Sequence, residues 1–171
     1  IVTAGGGGAI LTNDSDLADR AKHLTTTAKS PHRWRFQHDA VGYNYRMPNL
    51  NAALIVAQLE QLPDFLSRKR ELADRYAKAL DGVEGVRFVG EPVGTRSNYW
   101  LCTLLLDADY ADALEQVLEI TNQQGIMTRP TWDPMHALPM FADCPRGDVS
   151  VAENLSRRLL NVPSGVGVLA R

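Results

Sequence analysis

Residues 38–54 read HDAVGYNYRMPNLNAAL, and they join a polar, aromatic stretch to an apolar one. Pro48 suits the first turn of a helix, because the N–H that it lacks would have no partner there. Apolar residues then recur on one face, so a helix is predicted to about residue 61. Before it, GYNYRMPN offers the Asn44 amide and the Arg46 guanidinium. Helix amino ends attract anions and Arg grips phosphate with paired donors, so this is either an anion site or an ordinary helix entry with packed tyrosines.

Upstream of this helix lies a long irregular stretch. Residues 25–47 are polar and aromatic without clean periodicity, and a loop of this length in a compact protein is usually functional or disordered. Its aromatic and basic side chains favour an ordered, functional loop. A helix is predicted before it, from about residue 16 to 24, and Ser15 or Asp14 can cap that helix.

The chain opens with IVTAGGGGAI, residues 1–10. Short strands are predicted at 1–4 and 9–12, around a glycine turn. The glycines match neither a Walker loop, since no Lys follows, nor the GxGxxG dinucleotide pattern, since position 10 is Ile. Because this strand-like run begins at Ile1 without a methionine, we expect the chain to be the later part of a longer polypeptide.

Downstream, strands and helices alternate. Helices are predicted at 63–82, 110–124 and 150–160, and strands at 86–89, 98–106 and 126–128. The basic side chains at 68–70 are expected on a solvated face, and the pattern SVAE at 150–153 indicates a capping box. Both faces of 98–106 are partly apolar, so this strand is predicted to be central in its sheet. The order from residue 83 onward predicts a small α/β domain.

A second candidate site lies in RPTWDPMHALPMF, residues 129–141. Three prolines stiffen this stretch. Arg129, Trp132 and His136 can together bind a charged ligand that carries an aromatic base or a sugar. The alternative interpretation is a proline-stiffened surface loop.

Composition excludes several classes of protein. Hydrophobic residues make up 44% and charged residues 22%, which is typical of a globular protein. The net charge of −2 gives no reason to expect a nucleic acid or membrane partner. Two cysteines without CxxC spacing predict reduced thiols in a cytoplasmic protein, and four histidines without paired spacing make a metal site unexpected.

Three stretches together resemble the DegT/DnrJ/StrS family of pyridoxal phosphate (PLP) sugar aminotransferases: IVTAGGGGAILTND (1–14), HDAVGYNYRMPNLNAAL (38–54) and RPTWDPMHALPMF (129–141). The four glycines and TTTAKSPHRW (25–34) are most similar to the LegC-type enzymes, which aminate a UDP-linked 4-keto-6-deoxy sugar. The resemblance implies an α/β fold, the C-terminal portion of a fold type I PLP-dependent transferase. Residues 1–80 would be the end of the PLP-binding large domain, and 81–171 the small C-terminal α/β domain.

The resemblance also implies how the chain acts. The family's PLP-bonded lysine would stand immediately before Ile1, so no catalytic residue is expected within the chain. Relatives commonly carry GEGG where this sequence has GGGG, which leaves the role of that acid unfilled. Asn44 would reach the cofactor phosphate of the partner subunit, with Arg46 nearby, in a homodimer with shared active sites.

Substrate contacts follow from the same resemblance. His136, Arg129 and Trp132 would face the nucleotide sugar, with glutamate as amino donor. Tyr43 would add a hydroxyl or only pack. Arg33, with Lys29 and His32, is a weaker candidate for the same ligand, and His38 is either structural or part of the active site.

Two alternatives stay open. One is a sugar dehydratase of the same family, in which a histidine replaces the lysine. The other is a non-catalytic regulator or dimerisation fragment of the fold.

Overall fold

A computed structural model describes residues 1–170, and these divide into two compact units. The first is Ile1–Leu62 and the second begins at Pro63. The predicted domains at 1–80 and 81–171 stay a prediction. No helix among residues 1–170 is both long and apolar enough to cross a bilayer.

The first unit contains two helices, α1 (Ser15–Thr25) and α2 (Asn49–Glu60). Asp14 caps α1, because its Oδ1 accepts a hydrogen bond of 3.0 Å from the Leu17 N–H. Pro48 stands at the N-cap of α2, one residue before the first turn. Both predicted helices are confirmed. Of the two capping residues that the sequence allowed, Asp14 and Ser15, the structure uses Asp14.

The predicted strands at 1–4 and 9–12 are wrong. In their place, α2 holds the first residues through the Gln58 amide, which accepts from the Thr3 N–H at 2.9 Å and donates to the Thr3 carbonyl at 2.6 Å. The Asn51 amide donates to the Ala4 carbonyl. Asn51 and Gln58 lie seven residues apart on one face of α2. A strand needs a neighbouring backbone, and amide side chains supply those hydrogen bonds here.

The long loop between α1 and α2 is ordered by its own backbone. Isolated antiparallel bridges pair Thr26 with Asn44 and Lys29 with His38. The Tyr43 N–H donates to the Leu24 carbonyl at 2.7 Å. The loop therefore folds back on the end of α1, which supports its interpretation as an ordered segment.

The second unit is built on a four-stranded sheet. Its helices are α3 (Leu62–Ala79), α4 (Leu114–Gln123) and α5 (Ser150–Ser156), and its strands are β1 (Val86–Phe88), β2 (Cys102–Leu106), β3 (Arg129–Pro130) and β4 (Leu159–Val162). The strand order is β1-β2-β4-β3, and every pair is antiparallel. The register aligns Leu104 with Phe88 on one side and with Leu160 on the other. The central position predicted for β2 is confirmed.

Two apolar clusters form the core of this unit. One joins α3 to the sheet through Leu72, Ala73 and Cys102. The other joins α4 to the sheet through Leu114 and Leu160. Helices thus cover the sheet through these clusters, and one of them is α3, which lies before residue 83. The small α/β domain from residue 83 onward stays a prediction.

Two secondary-structure predictions for this unit are wrong. The helix predicted to residue 160 ends at Ser156, and β4 follows it. The strand predicted at 126–128 lies instead at Arg129–Pro130. In both places a short apolar run fits a helix end or a strand equally well, and pairing with the neighbouring strand decides.

The basic side chains at 68–70 do not form a solvated face. Lys69 is only 5% exposed, and its Nζ donates to the carbonyls of Trp100, at 3.2 Å, and Ser164, at 2.5 Å. Burial lowers the pKa of Lys69. Arg70 forms a paired salt bridge with Glu91. Helix α3 thus uses its cations to hold two loops, an arrangement that helical periodicity alone cannot reveal.

Candidate functional site

In the first unit, the stretch GYNYRMPN lies against the end of α1. The Tyr45 N–H donates to the Thr25 carbonyl at 2.9 Å, and the Thr27 N–H donates to the Tyr43 carbonyl at 3.0 Å. The rings of Tyr43 and Tyr45 stack with centroids 5.2 Å apart at 19°. Since neighbouring side chains alternate along extended backbone, Asn44 points away from this pair. Asn44 is exposed, and its amide bonds to no other part of the described chain.

Gly42 sets the position of this stretch. Thr27 and Ala28 adopt left-handed backbone, with φ of 75° and 49°, and Ala28 is fully buried. A Cβ on Gly42 would stand 2.5 Å from the Ala28 nitrogen and 2.5 Å from the Thr27 carbonyl carbon. Only glycine allows the two backbones to approach this closely. The segment that carries Asn44 is therefore fixed relative to the end of α1.

A cavity of about 1030 Å³ lies along the glycine stretch, between α1 and the start of α2. Its polar lining side chains are Thr12, Lys22, Thr25, Tyr45, Arg46 and Asn51. Arg46 and Lys22 are exposed, and within residues 1–170 neither forms a salt bridge. Asn44 is not among the lining residues. Two cations without an internal carboxylate partner suit a dianionic phosphate, so this donor set fits the phosphate of PLP.

The glycine stretch forms one wall of this cavity. Gly7 has a φ of 140°, and a Cβ there would stand 2.9 Å from the Met47 Cε. A side chain at this position would be strained by that backbone angle, and it would displace only the end of the Met47 side chain. The stretch is thus held close to the segment that carries Arg46.

In the second unit, Trp132 stacks on a residue that the sequence analysis missed. Its ring lies 6.1 Å from that of Trp100, at 19°. Trp132 is 70% exposed and Trp100 is 58% exposed. The backbone of Trp100 is held by buried Lys69. Two parallel exposed indoles suit stacking with a planar ring. In the sequence, Trp100 lies within the predicted strand 98–106, and its aromatic side chain is the one signal that could have marked it as a candidate.

His136 and Arg129 have different surroundings. His136 lies in a short 3-10 turn, Met135–Ala137, and its Nε2 is 2.8 Å from Glu153 Oε1. Arg129 lies on the edge strand β3, is exposed, and makes no salt bridge within the described part of the chain. The structure gives His136 a carboxylate partner and leaves Arg129 available for a ligand.

The capping box predicted at 150–153 is wrong. The N-cap of α5 is Val149, and no side chain bonds to it. The Ser150 N–H bonds to Asp148 Oδ1 at 2.9 Å, and Glu153 turns to His136 instead. Sequence identified the right residues but assigned them the wrong partners.

The weaker candidates in the long loop contact other residues of the same loop. The Arg33 guanidinium lies 5.2 Å from the centre of the Trp34 ring, and Lys29 Nζ lies 4.0 Å from that of Phe36. His32 Nδ1 accepts from two backbone N–H groups, those of residues 34 and 35. These contacts order the loop locally and do not test a role for Arg33 in substrate binding.

His38 and His23 have structural contacts in the same loop. His38 Nδ1 is 2.7 Å from the Thr27 carbonyl oxygen, which supports the left-handed turn. His23 Nε2 lies 2.6 Å from Asp39 Oδ1, and this hydrogen bond lowers the pKa of Asp39. His23 thereby ties α1 to the loop. Between residues 1 and 170, no three His, Cys, Asp or Glu side chains group closely enough to hold a metal.

The sequence model of the DegT/DnrJ/EryC1/StrS aminotransferase family matches residues 1–169. GDP-perosamine synthase of Escherichia coli O157:H7 is 38% identical over 95% of this chain and 43% of its own. EpsN of Bacillus subtilis (strain 168), provisionally named a pyridoxal phosphate-dependent aminotransferase, is 35% identical over 96% of this chain and 43% of its own. Among solved structures, DesI in the presence of its TDP-sugar product is similar with a TM-score of 0.83 and 25% identity, over 98% of this chain and 42% of its own.

The fold and these matches define a part of a fold type I aminotransferase. The chain belongs to the DegT/DnrJ/EryC1/StrS aminotransferase family. It spans less than half the length of the relatives that it matches. Family and fold class are therefore confirmed, while the LegC-type subgroup stays a prediction.

Proposed function

We propose that this chain is part of a PLP-dependent nucleotide-sugar aminotransferase that converts a 4-keto-6-deoxy sugar to its 4-amino sugar, with glutamate as donor. The observation that carries the proposal is the family match over residues 1–169. It is supported by Lys22 and Arg46, two cations that line the cavity of the first unit and form no salt bridge within residues 1–170. When bound, PLP supplies the electron sink for moving an amino group between donor and sugar. The protein's task is to hold the cofactor and to place the sugar ketone.

Arg46 and Lys22 would hold the cofactor phosphate, because both line the cavity and neither has a carboxylate partner in the described part of the chain. Asn44 would donate to the phosphate in the partner subunit's site. This role is supported by its exposure and by its lack of hydrogen-bond partners within residues 1–170. We therefore propose a homodimer in which each chain contributes Asn44 to its neighbour's site.

In the second unit, Arg129, Trp132 and His136 would bind the nucleotide sugar, and Trp100 joins them. A diphosphate needs cations, and the exposed Arg129 side chain supplies one. A base needs a flat surface, and the stacked Trp100 and Trp132 rings supply it. Tyr43 and Arg33 stay proposed substrate contacts of the first unit.

The nucleotide is the finer part of the proposal. The sequence resemblance favours a UDP-linked sugar, whereas GDP-perosamine synthase acts on a GDP-linked one by its name. We propose UDP on the strength of the LegC-like residues at 1–14 and 25–34. The test supplies the full-length enzyme and PLP with glutamate and, in turn, UDP-, GDP- and dTDP-linked 4-keto-6-deoxy sugars.

The expected result is an amino sugar formed from glutamate with the UDP-linked substrate preferred. A preference for GDP would overturn the choice of nucleotide and leave the aminotransferase proposal intact. Sugar dehydration without transfer of nitrogen from labelled glutamate would instead establish the dehydratase alternative. If protein that retains PLP carries out neither reaction with any of the three sugars, the enzymatic proposal is overturned.

A further inference from the structure

We infer that Glu153 is a positioning residue that orients His136 for recognition of the nucleotide sugar. This inference rests on the proposed function. The His136 Nε2 lies 2.8 Å from Glu153 Oε1. The His136 side chain is 15% exposed and that of Glu153 is 44% exposed. The pair is thus shielded on the histidine side and open on the carboxylate side.

The start of α5 distinguishes this contact from an ordinary surface ion pair, because Glu153 makes it in place of the expected capping bond. A Ser followed three residues later by Glu favours a capping box, in which the Glu side chain bonds back to the helix start. Here Glu153 gives up that local bond, and α5 has no side-chain cap. The Ser150 N–H depends on Asp148 instead. Local preferences are most often broken where a residue serves function, so the redirected carboxylate points to a role for His136.

The contact fixes what His136 can offer a ligand. A carboxylate oxygen only accepts hydrogen bonds, so Nε2 carries the hydrogen and Nδ1 of a neutral ring is left as the acceptor. His136 also sits in a turn bounded by Pro134 and Pro139, which limits backbone movement. With ring and backbone both held, Nδ1 is oriented before a sugar hydroxyl arrives. This preorganisation reduces the entropy lost on binding.

The test measures the KM for the nucleotide sugar, the KM for glutamate and kcat in the full-length enzyme. The variants are Glu153→Leu, Glu153→Gln, His136→Ala and the double variant Glu153→Leu/His136→Ala. Losing a hydrogen bond to a charged group should raise the KM for the nucleotide sugar about tenfold in Glu153→Leu and in His136→Ala. Glu153→Gln keeps an accepting oxygen and should raise that KM no more than about threefold. The KM for glutamate and kcat should change little.

The double variant separates positioning from an independent effect. If Glu153 acts through His136, the double variant should be no worse than His136→Ala alone. Glu115→Leu is the matched control, because Glu115 is an exposed acid in the first turn of α4 without a salt bridge in the described residues. It should leave all three constants unchanged. If Glu153→Leu does not fold, Glu153→Ala replaces it in the cycle.

An unchanged KM for the nucleotide sugar in Glu153→Leu would overturn the inference. It would also be overturned if the increase in that KM in the double variant equalled the product of the increases in the two single variants. Failure of the proposed function is distinguished by the wild-type enzyme, which would then aminate no nucleotide sugar. In that case the role of Glu153 in sugar recognition is overturned together with the proposed function. The contact between Glu153 and His136 is then tested separately, by measuring the thermal unfolding midpoints of the same two single variants and the double variant.

Discussion

At the scale of single residues, the candidate cofactor site depends on donors that the chain itself leaves without partners. Asn44, Arg46 and Lys22 are exposed, and none of them bonds through its side chain to another part of residues 1–170. A folded protein usually pairs such groups internally or exposes them to water. Arg46 and Lys22 line one cavity, which favours a ligand shared by these two, whereas Asn44 is not among its lining residues and is proposed to serve the partner subunit's site. The sequence predicted Asn44 and Arg46, but Lys22 could be found only from its place on the cavity wall.

Asn44→Ala tests this interpretation directly. Removing an amide donor to a charged phosphate should weaken PLP binding about tenfold. PLP per subunit is measured from its absorbance after gel filtration. Asn49→Ala is the matched control, because Asn49 is an exposed amide at the first residue of α2. Normal PLP content in Asn44→Ala would contradict its role at the phosphate.

The Arg70–Glu91 pair makes stability depend on pH. Two hydrogen bonds from Arg70, with one from the Ser97 N–H, lower the pKa of Glu91 from 4.5 to about 2. A carboxyl with a lowered pKa stabilises the fold fully above its unfolded pKa. That stabilisation is lost as the pH falls from 4.5 towards about 2.

Glu91→Gln should therefore lower the thermal unfolding midpoint at pH 7, and its difference from the wild type should shrink as the pH falls below 4.5. Calorimetry or circular dichroism at a series of pH values measures this. Glu115→Gln, at an exposed position without a salt bridge in the described chain, should follow the wild-type curve. A difference that stays constant with pH would show that Glu91 stabilises the fold without its charge.

At the scale of elements, sequence predicts best where one element needs no partner. The helices α1 and α2 follow from apolar periodicity and a capping Asp14, and both lie where they were predicted. Prediction failed for several strands, since two were expected at 1–4 and 9–12 and β4 was missed. Strand pairing is decided by residues that are distant in the sequence. Nor could a local pattern show that the Glu153 carboxylate would leave the cap of α5 for His136.

Gly42→Ala tests how the long loop is joined to α1. Its methyl group would meet backbone atoms of residues 27 and 28 at 2.5 Å, and backbone cannot turn aside as a side chain can. We expect the free energy of unfolding to fall by about 2 kcal/mol. Cofactor content should fall with it, because Tyr43 to Arg46 are held by the same contact. Chemical denaturation and PLP content measure the two effects.

Gly90→Ala is the control for this substitution, since a Cβ at Gly90 meets no atom within 4 Å. It should leave both quantities unchanged. A fully stable Gly42→Ala protein would show that the loop can shift away from α1 without cost. Stability lost with normal PLP content would separate the loop from the cofactor site.

At the scale of the whole molecule, the chain's proposed activity depends on a second copy. If Asn44 serves the partner subunit's phosphate, loss of PLP and dissociation of the dimer must follow the same dependence on protein concentration. Sedimentation velocity across a dilution series gives the dimer fraction, and absorbance of the same samples gives the bound PLP. A monomer that retains its full PLP content would contradict the shared site.

The sheet of the second unit also has a built-in limit to its width. The Thr131 N–H donates to the Leu159 carbonyl, so the nitrogen of the preceding residue, Pro130, faces away from β4. Proline has no hydrogen there to offer a further strand. With β3 only two residues long, this edge is a poor template for edge-to-edge aggregation. The proline beside the candidate substrate residues thus also limits association of copies through the β3 edge of this sheet.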